Sequence, residues 1–281
     1  MLANYTRYYI LALICFIIFI LILRLFGIGT TRSIEGFKGG IGKTRDVYDI
    51  AFVINLPGTP EGEKSWKRMQ EKRTIYHNMT RFPGIYGKKY DYSGEVNSSI
   101  VNTTWDIGKW KGKNSKIIPM EKSEIGISLS YYYLFKKIVD ENINVALVLE
   151  DDATRIHPQF ETLLEEHYKL LPVDWDMFLL GFWLHRGDNG YEVKNTKGKI
   201  HRVRDFCLLH AFIINKKGAK KFLNHLPIDR PVDSWMSKCA HEDVNIYRHN
   251  VIIRPGKKPA SALVRQDRER TNKQITNTNN W

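Results

Sequence analysis

Cysteine is scarce in this chain of 281 residues: only Cys15, Cys207 and Cys239 are present. Three cysteines make no disulfide framework, and their spacing matches no metal-binding pattern. Also missing are a helix-turn-helix signature, a zinc-finger spacing and an RNA-binding aromatic motif. Nucleic acid is therefore not the partner the sequence points to, although the chain is strongly basic. Carboxylates are outnumbered, with Asp+Glu 30 against Lys+Arg 43 and a net charge of +13. Such a surface attracts polyanions of several kinds, including anionic lipid headgroups and phosphorylated substrates. No internal repeat is visible. The apolar fraction of 43% and charged fraction of 26% are those of a globular protein, which excludes wholesale disorder.

Long apolar runs are rare too, with one exception. Residues 8–29, "YYILALICFIIFILILRLFGIG", carry no charge from Tyr8 to Leu23. That is about the ~20 residues a membrane helix needs, and Arg24 can extend to the headgroups. No small-residue cleavage site follows, so the run predicts an uncleaved single-pass anchor. Residues 30–46, rich in Gly, Thr, Lys and Arg, predict a linker, and residues 47–265 a catalytic domain. A polar tail follows at 266–281. Signals for orientation conflict. Arg24, Arg32, Lys38, Lys43 and Arg45 behind the run favour a cytoplasmic domain. Sequons at Asn78, Asn97 and Asn102 favour a type II, lumenal one.

Beyond residue 47, apolar and amphipathic stretches alternate. Strands are expected at 48–56, 143–152, 174–182 and 206–215, with a last one near 246–254. Helices are expected at 61–79, 121–142 and 157–171, and after 216 and 232. Residues 83–120 and 184–204 predict loops. This alternation predicts an α/β domain, a mainly parallel sheet with helices on both faces. Ligands of such sheets sit beyond the carboxyl ends of the strands.

At that place on the expected central strand, "VALVLEDDA" ends in Glu150, Asp151 and Asp152. Adjacent acids repel unless a cation or hydrogen-bond donors compensate them. If strand geometry persists, Glu150 and Asp152 share one face and Asp151 takes the other. A hard Mg²⁺ or Mn²⁺ ion, ligated by Glu150 and Asp152 and by substrate phosphates, would suit such a pair. An acidic turn capping the next helix accounts for the same residues.

In order along the chain, several segments carry a resemblance. "VINLPGTPEGEKSWKRMQE", "FPGIYGKKYD", "EIGISLSYYYLFKKI", "VLEDDA", "DWDMFLLG" and "LLHAFIINKKGAKKFLNHLPIDRPVDSWM" together resemble glycosyltransferase family 25 over about residues 50–256. That family includes bacterial lipooligosaccharide galactosyltransferases and animal procollagen hydroxylysine galactosyltransferases. The resemblance implies a GT-A type, Rossmann-like fold and an inverting transfer from a UDP-sugar, with Mn²⁺ (or Mg²⁺). A hexose, most often galactose, would go to a hydroxyl of a glycan, a lipid-linked oligosaccharide or a hydroxylysine-type protein side chain. It implies Asp233, at the Pro-Val-Asp position, as general base or acceptor ligand, and Asp152 as the second catalytic residue. An N-cap role accounts for Asp233 as well. Asn55, Glu150, Asp151, Arg68 and Arg186 are the candidate donor-binding residues. Ile127 and Tyr131 stand where the family's segment usually has Cys and His. Two rival readings remain: a metal-dependent phosphohydrolase, and a non-catalytic membrane-anchored scaffold of the same family.

Overall fold

The computed structural model describes residues 47–184, 190–251 and 263–265. All of them belong to one compact unit, Gly42–Trp281. The apolar run at 8–29, the whole linker at 30–46, the tail and Arg186 lie outside the described residues. Among those described, no helix is long and apolar enough to cross a membrane.

The strands are β1 (Ile50–Asn55), β2 (Met79–Pro83), β3 (Thr104–Asp106), β4 (Ile117–Pro119), β5 (Val145–Glu150), β6 (Arg155–Ile156), β7 (Met177–Leu184), β8 (Tyr191–Glu192), β9 (Ile200–Arg202), β10 (Phe206–Asn215), β11 (Ile246–His249) and β12 (Val264–Arg265). The helices are α1 (Pro60–Gln70), α2 (Ser93–Asn97), α3 (Ile107–Trp110), α4 (Lys122–Asp140), α5 (Phe160–Tyr168), α6 (Lys216–Asn224) and α7 (Val232–Glu242). Eight strands form the main sheet in the order β2-β1-β5-β10-β7-β11-β9-β8. β1, β2 and β5 pair in parallel, as do β7 and β11, while β10 runs antiparallel between β5 and β7. With β8, six strands therefore share one direction, and β9 and β10 oppose it. The sheet is mixed but mostly parallel.

Its central strands read as unbroken apolar runs because both faces are covered. Phe52, Val148, Leu179 and Phe212 point to one face, where Leu129, Phe135, Phe222 and Trp235 of α4, α6 and α7 meet them. Val53, Leu149, Phe178 and Ile213 point to the other, against Met69 of α1 and Phe160 and Leu164 of α5. Phe135 stacks on Phe222 with ring centroids 5.1 Å apart, tying α4 to α6.

Three sequence expectations are corrected. The helix expected to 79 stops at Gln70. Asn78 then takes a left-handed φ of 49° and turns the chain into β2, which pairs with β1. Asn is one of the few residues for which that conformation is ordinary. Residues 83–120 are not structureless: they hold α2, α3 and the β3–β4 hairpin. Residues 184–204 contribute β8 and β9 to the sheet edge.

Candidate functional site

The carboxyl ends of β1 and β5 meet the beginning of β10 at one edge of the sheet, because β10 runs the other way. A cavity of about 590 Å³ opens there. Its lining includes Asn55 from β1, Glu150 to Asp152 after β5, Leu208 and Leu209 from β10, and Asp233 from α7. Ser123, Glu124, Ile127 and Ser130 of α4 and the loop 84–87 complete it. That loop lies directly on α4. A Cβ on Gly126 would come 2.6 Å from the Gly87 nitrogen, and one on Gly87 would come 1.8 Å from the Lys122 carbonyl oxygen. Glycine is required at both positions by backbone-to-backbone contact. Ser130 Oγ accepts from the Ile85 N–H at 2.8 Å and fixes the loop further.

The strand ends at Glu150, and a turn follows, closed by the Ala153 N–H on the Glu150 carbonyl at 3.0 Å. This turn sends the acids apart. Asp151, 8% exposed, accepts from Asn55 Nδ2 and Ser65 Oγ, both at 2.5 Å. Asn55 Nδ2 also donates to the Gly62 carbonyl at 2.8 Å. Arg81 Nε donates to Asn55 Oδ1 at 2.7 Å and spans to Glu63 at 2.7 Å. Asp151 is thus held by donors in the way that makes a buried charge tolerable. It and Asn55 line the cavity, yet both are wired into the β1–α1 junction.

Glu150 and Asp152 meet Tyr131 of α4 instead. The Tyr131 phenol is buried and hydrogen-bonded to Glu150. Burial, then the charges of Glu150 and Asp233, then that hydrogen bond and Asp152, hold its pKa well above the usual value. It remains a neutral donor facing three acids.

Asp233 lies in the first turn of α7, whose N-cap is Pro231. The capping role considered from sequence therefore does not apply. Its carboxylate accepts the Leu208 N–H at 2.7 Å. Burial pushes its pKa up from 3.8 to about 6, against the opposing pull of the Leu208 and Leu209 N–H groups. Leu208 has a φ of 49° at a register shift in β10. That is strained backbone for a leucine, and it aims the amide at Asp233.

Among the described residues, no group of three or more His, Cys, Asp or Glu side chains is placed to hold a metal unaided. Glu150 and Asp152 both line the cavity, and carboxylates are the ligand type that a Mg²⁺ or Mn²⁺ ion takes beside phosphates and water. On the same wall, Glu124 accepts the Glu121 N–H at 2.8 Å, and burial raises its pKa.

The structure brings Asn55, Glu150, Asp151, Asp152 and Asp233 onto one cavity lining. Arg68 is half-buried on α1 and outside the cavity lining. Arg81 joins the site network through Asn55 Oδ1 and packs 5.5 Å from the Trp66 ring. Neither Arg81 nor Ser65 carried a sequence signal. Both are ordinary polar residues until the fold places them beside Asn55. Tyr86, 38% exposed at the cavity mouth, was signalled only by the surrounding "PGIYG". Around the end of α7, His241 pairs with Asp205 at 3.1 Å, and Glu242 and Asp243 pair with His225 at 2.8 and 2.5 Å. Asp176 is buried and paired with Lys221 at 2.6 Å.

The family model "Glycosyltransferase family 25 (LPS biosynthesis protein)" matches residues 49–236. A "Procollagen galactosyltransferase 1-B" of Xenopus laevis is 27% identical over 198 residues, 67% of this chain and 30% of the relative. A "Glycosyltransferase 25 family member" of Aedes aegypti is 31% identical over 124 residues, 42% of this chain and 20% of its own. A "Probable inactive glycosyltransferase 25 family member 3" of Bos taurus is 26% identical over 200 residues, 67% and 31% of the two chains. The chain spans about 30% of the length of the first of these relatives.

Proposed function

Since this chain belongs to glycosyltransferase family 25, we propose that it is an inverting, galactosyltransferase-like enzyme. The proposed donor is a UDP-sugar bound in the cavity beyond β1 and β5. The acceptor is a hydroxyl on a saccharide or a protein side chain. The observation that carries this reading is the placement of Glu150, Asp152 and Asp233 on one cavity, with burial raising the Asp233 pKa to about 6.

In this reading Asp233 is the general base. A carboxylate with a pKa of about 6 is ionised at pH 7 and basic enough to accept a proton in the transition state. The acceptor oxygen forms its bond to the anomeric carbon as its proton passes to Asp233. The bond from that carbon to the diphosphate oxygen breaks, and UDP leaves with the electron pair. Glu150 and Asp152 would hold a divalent cation, which offsets charge on the departing diphosphate. Tyr131 orients Glu150 for that task, while Asp151, Asn55 and Ser65 keep the β5 turn in place. Tyr86, on the cavity mouth, offers a ring face to the base or sugar. The apolar run at 8–29 is proposed as the membrane anchor, and Arg186 as a phosphate contact; both lie outside the described residues.

The test is a screen of UDP-sugars with Mn²⁺, following UDP release, with EDTA and Asp152→Asn as controls. Release for one sugar that both controls abolish supports the reading. No release and no metal-dependent UDP binding by folded protein refutes it. A second reading, a non-catalytic member, is favoured by the similarity to the bovine protein named as probably inactive. It expects ligand binding indifferent to EDTA.

A further inference from the structure

A second, shallower groove of about 430 Å³ lies beside the cavity, built mostly by the 90–103 segment. Its lining has two parts. Tyr90, Tyr92 and Val96 provide ring and aliphatic surface, and Asp91, Asn97 and Lys122 provide a carboxylate, an amide and an ammonium. Tyr92 and Val96 rest on the main core, so the apolar part is backed by rigid structure.

Tyr90 is 37% exposed and is nonetheless fixed. Its hydroxyl donates to Glu95 at 2.7 Å, and the Tyr133 hydroxyl of α4 donates to the same carboxylate at 2.5 Å. Glu95 is buried. Burial alone would raise its pKa, but the bonds from Tyr133 and Tyr90 outweigh it and leave the pKa lowered. A buried carboxylate thus anchors an exposed aromatic ring, which is preorganisation without an evident role in stability.

Neighbouring residues line the groove and the cavity. The Tyr90 N–H donates to the Tyr86 carbonyl at 3.1 Å, so one turn carries a ring for each depression. Lys122 of the groove directly precedes Ser123 and Glu124 of the cavity wall.

We propose that this groove is the acceptor subsite and that it takes a neutral saccharide. The proposal rests on the transferase reading and names the acceptor class for it. One face of a pyranose ring is a patch of C–H groups that packs on an aromatic face, and its edge is a ring of hydroxyls that need both donors and acceptors. Tyr90 supplies the first, and Asp91, Asn97 and Lys122 the second. Asp91 and Lys122 oppose each other in charge, so the groove does not select an anion. A peptide acceptor docking by strand addition would need an open sheet edge; here the wall is α2 and a turn.

The test uses the full chain in detergent and saturation-transfer NMR with lactose, N-acetyllactosamine, maltose and chitobiose. At least one of these binds, and saturating UDP with Mn²⁺ does not displace it. Asp91→Ala with Asn97→Ala weakens binding about tenfold, the loss of one or two hydrogen bonds. Tyr90→Ala abolishes it, while Tyr90→Phe, which keeps the ring and loses the anchoring bond to Glu95, still binds but more weakly. The proposal is overturned if none of the four binds, if UDP displaces the sugar, or if the rim variants leave affinity unchanged. UDP binding, measured separately in the same samples, tests the donor cavity. Saccharide bound at the rim by a protein that ignores UDP would keep the subsite and remove the transferase reading.

Discussion

Replacing Asp233 by Asn should make the protein more stable at pH 7 and inactive. Burial raises the Asp233 pKa from 3.8 to about 6. A group whose folded pKa lies above its unfolded value stabilises the fold fully below the unfolded pKa. That contribution disappears as pH rises through the folded one. The window here runs from about pH 4 to about pH 6. The shift of roughly two pK units corresponds to about 3 kcal/mol that the wild type forgoes at pH 7. The Asn carbonyl can still accept the Leu208 N–H, but as a weaker, neutral acceptor, so about 2 kcal/mol of gain remains. For a domain of this size that is a rise of roughly 4–8 °C in the unfolding midpoint. Circular dichroism melts of the full chain between pH 4 and pH 8 would read it. The midpoints should converge at pH 4 and separate by pH 7. A variant less stable than wild type at pH 7, or a gap that ignores pH, refutes the reasoning. The same residue sets the activity profile: UDP release by the wild type should climb through about pH 6 and be lost in Asp233→Asn.

Other perturbations separate structure from chemistry. Asn55→Ala removes a donor from Asp151 and the acceptor of Arg81, and should cost about 1–3 kcal/mol by urea unfolding with the m-value unchanged. Gly126→Ala drives a Cβ against the Gly87 backbone; a loss of about 1–3 kcal/mol is expected, and a neutral effect would show that loop 84–87 can move. Tyr131→Phe keeps the ring packing on Phe212 and loses the hydroxyl at Glu150, so turnover should fall about tenfold while the melting midpoint moves little. EDTA should stop UDP release and lower the melting midpoint slightly, because an ion held by Glu150 and Asp152 only in the folded state stabilises that state.

The sequence by itself determined the layers. Unbroken apolar runs such as "IAFVIN" and "VALVLE" mark strands covered on both faces, and helices of matching period must cover them. An acid triplet at the end of such a run marks the sheet end where a ligand is expected, and the ordered motifs around it name a family. Other features follow only from the tertiary structure. The direction of a strand leaves no trace in hydrophobic period, so the reversal of β10, which brings Leu208 and its amide to that edge, could not be read. β2 was hidden because residues 71–79 carry helix-like spacing, and pairing with β1 overrides it. Asn55 and Asp151 are ninety-six positions apart, so the bond that commits Asp151 to the scaffold rather than to solvent depends on closure of the whole sheet. Burial decides the rest. Asp233 is an ordinary aspartate in the chain, and its pKa rises to about 6 only because folding takes water away from it.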